Sequence, residues 1–307
     1  MQLELPHPGP WQAFELADRL ASPKAAERLV QAGVLVRIRH GAYFVADEWR
    51  KLSSENRHLA ALAAHYDNAS RRREIGFDYS HLSAARLHGI HLWNPDPYVH
   101  LTMPRCPSNQ GRASDVRVHS AILGEDDRSS IRGLPATSLE RTVVDCARIL
   151  RRGQAQIVVD HGVRLGADPS RVTELLADAQ GKRGVRIARA AWDMASGLCE
   201  SPGESLLRYV LSRMPFPLPA QQVEVPTRLG TYRLDFAWVK IKLGLEFDGD
   251  VKYFAYDPTA DVLLRERKRE RALIEEGWIL LRVEWKDLFD EAALRRRIGS
   301  ALAAAGL

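Results

Sequence analysis

Apolar residues recur at helical spacing in some segments of the chain and alternate strictly with polar residues in others. Helical spacing predicts helices over residues 11–20, 24–32 and 55–73, and further helices through residues 154–198. Short apolar or alternating runs predict strands, including a hairpin near residues 34–45. Because the predicted helices and strands are mixed along the chain, the pattern indicates an α/β (α+β) fold.

Two alternating segments in the C-terminal third, residues 232–238 and 245–248, carry acidic side chains between apolar ones. The first contains Asp235, and the second contains Glu246 and Asp248. Successive side chains of a strand point to opposite faces of the sheet. If the two strands are neighbours, the apolar residues lie on one face and the three carboxylates meet on the other.

Carboxylates that meet at short range repel one another unless a cation is present. Mg²⁺ (or Mn²⁺) is the expected ion, held by Asp235, Glu246 and Asp248 together with substrate phosphate oxygens. Lys252 follows nearby and adds a positive charge, so the pattern predicts metal-assisted cleavage of phosphodiester bonds. The alternative is an ordinary half-exposed antiparallel strand, in which the acids only face solvent.

The C-terminal third resembles the very-short-patch-repair-like branch of the PD-(D/E)XK nuclease superfamily. The matching runs are SPGESLLR, YRLDFAW, LGLEFDG, VKY, RERKRERAL and EEGWILLRVEWKDL. The resemblance implies that Glu204 orients the site from a helix, that Asp235 and Glu246 ligate the metal ion, and that Asp248 assists. Asp248 stands where the superfamily motif has lysine. The resemblance therefore implies that Lys252 takes over the stabilisation of charge or the positioning of water.

A helix predicted over residues 261–276 carries the run RERKRER. Arg265, Lys268 and Arg271 recur there at three-residue spacing, so they lie on roughly one face. Mixed charges on an exposed helix are usually only solvated. In the resembling family this helix lies over the active site, which implies contact between these cations and DNA phosphates.

The N-terminal segment, two helices followed by a small basic hairpin, has the outline of a winged helix-turn-helix. Its second helix offers Lys24 and Arg28 to a DNA groove, and the wing offers Arg37, Arg39 and His40 to the DNA backbone or minor groove. The alternative is a small protein-interaction or structural module, because the second helix also carries an acidic residue that repels phosphate.

The run AERLVQAGVLVRIRHGAYFVA in this segment resembles the N-terminal winged-helix domain of the AbiEi family, antitoxins of type IV toxin–antitoxin systems. The runs SHLSAARLHGI, VHLTMP and GLPATSLERTVVDCARIL resemble the central part of the same family. The resemblance implies that DNA is a partner and that a toxin is encoded nearby. It transfers no catalytic residue to the middle of the chain.

The serines and histidines of YSHLSAARLHGIHLW do not predict a hydrolase, because the run contains no G-x-S-x-G elbow. Helix capping and core packing explain this stretch. The cysteines, Cys106, Cys146 and Cys199, form no C-x-x-C pair and lie near no patterned histidines. Neither a zinc site nor a disulfide framework is therefore expected.

The length of 307 residues predicts two or three domains, and the order of the motifs divides the chain into residues 1–50, 51–198 and 199–307. A formal charge of +5 favours a polyanionic partner. The N-terminus lacks the features of a signal peptide, and there is no apolar run of about eighteen residues to span a membrane. A cytoplasmic protein with no membrane partner is expected.

These features predict a DNA-binding protein with a Mg²⁺-dependent endonuclease-like domain. The alternative is a non-catalytic type IV antitoxin or transcriptional repressor, whose C-terminal domain only holds DNA or a partner. A third interpretation, an RNA-processing nuclease, requires the same site and differs only in its substrate.

Overall fold

The computed structural model describes residues 9–19, 22, 24–72, 76–105, 114–249 and 260–306. Helices and three sheets alternate along the chain, which confirms the α+β class. The chain divides into two compact units, residues 1–90 with 94–146, and residues 91–93 with 147–307. The sequence placed a boundary near residue 198. The structure instead assigns residues 147–198 to the C-terminal unit.

The N-terminal unit begins with a small sheet and two helices. The elements are β1 (Trp11–Gln12), α1 (Ala13–Arg19), α2 (Ala25–Gln31), β2 (Leu35–Arg39) and β3 (Ala42–Val45). The antiparallel strands lie in the order β1-β3-β2, around a core that includes Trp11, Leu16 and Leu35. The two helices and the hairpin follow the predicted outline.

A second sheet completes the N-terminal unit. Its elements are α3 (Ala46–Lys51), α4 (Ser54–Arg71), β4 (Asp78–Tyr79), α5 (His81–His88), β5 (Val99–Met103), β6 (Val116–Ser120), β7 (Arg128–Ile131), β8 (Leu134–Thr137) and α6 (Leu139–Ile149). The strand order is β6-β5-β4-β8-β7, with β5 parallel to β6 and β4 parallel to β8. The division between the units falls near the end of α6.

The C-terminal unit contains a four-stranded sheet. Its elements are α7 (Arg152–Arg164), α8 (Pro169–Asp178), α9 (Val185–Asp193), α10 (Pro202–Leu211), β9 (Ala220–Thr227), β10 (Gly230–Trp238), β11 (Leu243–Asp248), α11 (Ala260–Glu275), β12 (Ile279–Glu284) and α12 (Glu291–Ala304). The strand order is β12-β11-β10-β9; β9, β10 and β11 are antiparallel neighbours, and β12 runs parallel to β11.

Two apolar clusters pack against this sheet. One joins Phe236 and Leu245 to apolar residues of α10 and α12, and the other joins Leu234 to Ala237 and to Leu273 of α11. The alternating pattern had predicted that Leu234 and Phe236 share one face, and that prediction is wrong. The alternation breaks at Asp235, which the register places opposite Gln222, a residue with a left-handed φ of 50°.

None of the helices in the described ranges combines the length and the apolar character needed for a membrane-spanning segment.

Candidate active site

Asp235 and Glu246 come from adjacent strands and line one cavity. β10 and β11 pair Phe236 with Leu245, so the antiparallel register continued by one residue puts Asp235 opposite Glu246. Both acids line an open cavity of about 960 Å³. The sequence predicted that these two carboxylates share one region, and the register brings them together there.

Asp235 is a partly buried acid whose proton affinity is raised. Its Oδ2 accepts a hydrogen bond from the backbone N–H of Phe247 at 2.9 Å. The pKa of Asp235 is raised to about 6, chiefly by burial and also by the charges of Glu204 and Glu246, against the opposing effects of the Phe247 hydrogen bond and Arg269. The site therefore concentrates negative charge where solvent is partly excluded.

Glu246 is paired with an arginine that is not among the residues predicted from the sequence. Its side chain is buried, and Arg269 of α11 donates hydrogen bonds to both carboxylate oxygens, with Nη1 3.1 Å from Oε2. The same Nη1 lies 3.1 Å from Oε1 of Glu266. A signal was present in the sequence: Arg269 precedes the buried Ala272 and Leu273 by three and four residues, which puts it on the inner face of α11.

Glu204 stands behind the two cavity acids. It lies in the first turn of α10, buried, and its Oε2 accepts hydrogen bonds from the Glu200 N–H at 2.9 Å and from Nε2 of Gln222 at 3.0 Å. Glu204 is not among the residues that line the cavity. It acts on Asp235 through its charge, by raising the pKa of that carboxyl group.

Only some of the remaining predicted residues of this region line the cavity. Asp248, Arg265 and Lys268 are exposed and line the cavity. Arg271 is exposed but is not a lining residue, and its Nε donates to Oε1 of Glu275 at 3.1 Å. Lys252 lies outside the described residues.

The candidate DNA contacts of the N-terminal segment are exposed, with one exception. Lys24, Arg28, Arg37 and His40 are exposed, and Nη2 of Arg37 lies 2.8 Å from Nδ1 of His40.

The sequence predicted that Arg39 in the wing contacts DNA, and the structure does not support this contact. Only 9% of its side chain is exposed, and its Nη2 lies 3.1 Å from Oδ2 of Asp115. Arg39 therefore forms an ion pair inside the N-terminal unit, and the β2–β3 register shifts between the exposed Arg37 and Arg39.

Replacing Asp235 with asparagine should stabilise the metal-free protein at neutral pH. Because folding raises the pKa of this group from 3.8 to about 6, its favourable contribution is present at low pH and is lost as the pH rises through about 6. Asparagine has no charge to bury and keeps an oxygen for the Phe247 N–H. We expect the free energy of unfolding to rise by about 1–3 kcal/mol at pH 8 and by much less at pH 4.

Chemical denaturation in the presence of a chelator at both pH values measures this effect. Glu174→Gln is the control, since Glu174 is an exposed acid of the same unit, 2.9 Å from Arg171. A variant no more stable than wild type at pH 8 would mean that the Asp235 charge is already compensated in the fold.

The comparisons with known proteins identify relatives without naming an activity. No family model matches the chain. Two uncharacterized proteins of Mycobacterium tuberculosis, MT2308 of strain CDC 1551 / Oshkosh and Rv2248 of strain ATCC 25618 / H37Rv, are each 31% identical to it over 175 residues. The match covers 56% of this chain and 62% of each relative, less than two thirds of their length.

Among solved structures, the crystal structure of the RV2827C protein from Mycobacterium tuberculosis is similar at 19% identity. The similarity covers 70% of this chain and 82% of that chain, with a TM-score of 0.39. A likeness at this level carries no argument about function.

Proposed function

We propose that the cavity of the C-terminal unit binds nucleic acid and hydrolyses phosphodiester bonds of DNA in a reaction that depends on Mg²⁺ (or Mn²⁺). One observation carries the proposal: Asp235 and Glu246 line the same cavity as the exposed cations Arg265 and Lys268. Paired acids suit a divalent ion, and adjacent cations suit the phosphates of a nucleic acid.

The carboxylate of Asp235 is better placed to bind a hard divalent ion than the carboxylate of Glu246. Asp235 uses one oxygen for the Phe247 N–H, and burial beside other acids raises its pKa to about 6, so a cation would offset unfavourable charge there. Both oxygens of Glu246 receive hydrogen bonds from Arg269. Binding of an ion by Glu246 therefore requires Arg269 to give up at least one of these bonds.

A bound ion would polarise the phosphoryl group and lower the pKa of a coordinated water molecule. The residues of this chain supply the rest of the chemistry. Arg265 and Lys268 hold the phosphate backbone, and Arg269, once released by Glu246, presents a planar guanidinium to a phosphate. Lys252 keeps its predicted role of stabilising developing negative charge, and Glu204 orients the site through Asp235.

A plasmid-nicking assay tests the proposal. Wild-type protein should convert supercoiled DNA to the open circle with Mg²⁺ or Mn²⁺ and should be inactive with a chelator. Asp235→Asn should lower the rate by at least about 100-fold, because loss of a ligand costs no less than loss of an outer-shell partner. Glu174→Gln, an exposed acid outside the cavity, should retain wild-type activity.

Parallel reactions with single-stranded RNA separate the DNA nuclease from the RNA-processing alternative. Metal-dependent cleavage that Asp235→Asn retains would contradict the proposed site. A folded wild-type protein that cleaves neither substrate would contradict the proposed activity.

A second candidate is a non-catalytic type IV antitoxin or transcriptional repressor. The engagement of both Glu246 oxygens by Arg269 favours it, since this pair neutralises the acid without a metal ion. The exposed Lys24, Arg28 and Arg37 also suit DNA binding by the N-terminal unit. In that case DNA binding would weaken steeply with salt, Asp235→Asn would not affect it, and the toxin predicted to be encoded nearby would be the protein partner.

A further inference from the structure

We propose that His81, His100 and His119 of the N-terminal unit bind a first-row transition metal ion, for which Zn²⁺ is the best match. Their ligand nitrogens lie within 4.8 Å of one another. Nδ1 of His100 and Nε2 of His119 are 3.0 Å apart. Two nitrogens on a tetrahedral zinc ion at about 2.0–2.1 Å stand roughly 3.3 Å apart, so these two already have nearly the required spacing.

The fold brings the three histidines together from separate elements. His100 lies on β5 and His119 on the parallel neighbour β6, where the register pairs His119 with Thr102. His81 is the first residue of α5, and Ser83 of the same helix accepts the His100 backbone N–H at 2.8 Å. This hydrogen bond therefore holds the start of α5, with His81, against β5, which carries His100.

A carboxylate orients one of the proposed ligands. Nε2 of His100 lies 3.0 Å from Oδ1 of Asp96, so this nitrogen carries the proton and Nδ1 presents its lone pair toward His119. A carboxylate that accepts the distal N–H of a ligating histidine is a regular feature of zinc sites, where it sets the tautomer and strengthens the ligand.

The backbone of His81 has an uncommon conformation. Its φ is 48°, in the left-handed region, although it carries a side chain and begins a helix. Residues in this region persist where the surrounding structure holds them, and they are frequent at ligand sites. The buried His81 imidazole stacks on the His119 ring, with centroids 3.5 Å apart and ring planes inclined by 16°, so one of these rings must turn for both to bind the same ion.

Thr102 supplies a second, independent observation beside the three histidines. Its side chain is 1% exposed, and within the described residues its Oγ1 is a buried oxygen without a hydrogen-bond partner. Thr102 lies two residues from His100, on the same face of β5, and beside His119 in the register. A water molecule in the fourth position of a three-histidine site would donate a hydrogen bond to this oxygen.

Ring stacking between histidines does not by itself indicate a metal site. His91 and His161 in the C-terminal unit also stack, with centroids 3.6 Å apart. That pair is not part of any group of three potential ligands within the described residues. The convergence of a third imidazole, an orienting carboxylate and an unpartnered hydroxyl distinguishes the group in the N-terminal unit.

Metal binding to the full chain tests the inference. Protein stripped with a chelator should take up one Zn²⁺ per chain at these histidines, and Co²⁺ in its place should produce the visible absorption of a tetrahedral nitrogen-rich site. His119→Gln should lose this absorption and weaken Zn²⁺ binding by more than about 100-fold, and Asp96→Asn should weaken it by about 10–100-fold. His58→Gln, which removes a histidine outside the group, should bind as wild type does.

Two further variants keep the result interpretable. Asp235→Asn should retain the Co²⁺ absorption, which separates this site from the acidic cavity and makes the outcome independent of the proposed nuclease activity. Circular dichroism in chelator checks that His119→Gln is folded, and Asp96→Asn replaces it as the test if it is not. Wild-type protein without one tight Zn²⁺ site, or a folded His119→Gln that binds as tightly as wild type, would overturn the inference.

Discussion

Replacing Asp160 with alanine is expected to lower the free energy of unfolding of the C-terminal unit by roughly 3–5 kcal/mol. Asp160 lies on α7 and is fully buried. Its Oδ1 accepts hydrogen bonds from Nη2 of Arg208 at 2.7 Å, Nε2 of Gln156 at 2.8 Å and the Ser196 N–H at 3.0 Å. Alanine leaves the guanidinium of Arg208, whose side chain is only 10% exposed, without its counter-charge.

Denaturant unfolding followed by circular dichroism measures this loss. Glu174→Ala is the control for a surface ion pair and should cost less than about 1 kcal/mol. The double variant Asp160→Leu, Arg208→Met should be more stable than Asp160→Ala, because it removes the unpaired charge together with its partner. A loss below about 1 kcal/mol for Asp160→Ala would show that water reaches and solvates Arg208.

Disruption of the Asp160–Arg208 ion pair should also change the geometry of the candidate active site. Arg208 and Glu204 lie on the same helix, α10, and α10 packs against α7. A shift of α10 would move Glu204 relative to Asp235, whose pKa depends partly on the Glu204 charge. The two effects separate experimentally, since unfolding is measured without DNA.

Gly203→Ala should also destabilise the C-terminal unit, because α10 approaches β11 too closely for a side chain. A Cβ built on Gly203 would lie 1.9 Å from Cε1 of Phe247. The Phe247 ring is held in an edge contact with Trp285, with centroids 5.2 Å apart. Overpacking of this kind typically costs about 1–3 kcal/mol.

Movement of Phe247 would also affect the proposed cleavage reaction, because its N–H is bonded to Asp235 and its neighbours in β11 are Glu246 and Asp248. We expect Gly203→Ala to lower both the thermal midpoint and the nicking rate. Gly249→Ala is the matched control: its Cβ would meet the same ring at 3.7 Å, an ordinary contact. Equal thermal midpoints and nicking rates for the two variants would mean that the Phe247 ring can move away from the new methyl group without loss of stability.

The sequence could predict two neighbouring strands that carry these acids, because strand formation depends mainly on local residues. Asp235 and Glu246 were predicted to lie on adjacent strands, and the β10–β11 register puts them opposite each other. The pairing partner of Glu246 was not predicted, since Arg269 reaches it from a helix 23 residues further along the chain. The same local pattern failed at Leu234, where a left-handed residue on β9 faces the break in alternation.

The histidine group was missed for a related reason. No zinc site was predicted, because the cysteines form no C-x-x-C pair and lie near no patterned histidines, and helix capping and core packing explained the stretch that contains His81. Here the ligands come from a helix start and two parallel strands, so no local spacing links them. Arg39 was misassigned in the same way, because its partner Asp115 is 76 residues away.

By itself, the sequence determined the mixed class of the fold, the hairpin and helices at the N-terminus, and the acids that alternate with apolar residues in β10 and β11. These features depend on propensity and periodicity, which act between residues close in the chain. The tertiary structure alone decided that Arg269 covers Glu246, that Arg39 is buried, and that three distant histidines converge. Those contacts arise from burial and charge pairing between remote segments. Helical spacing can place Arg269 on the inner face of its helix, but no local pattern identifies the remote partner of any of these residues.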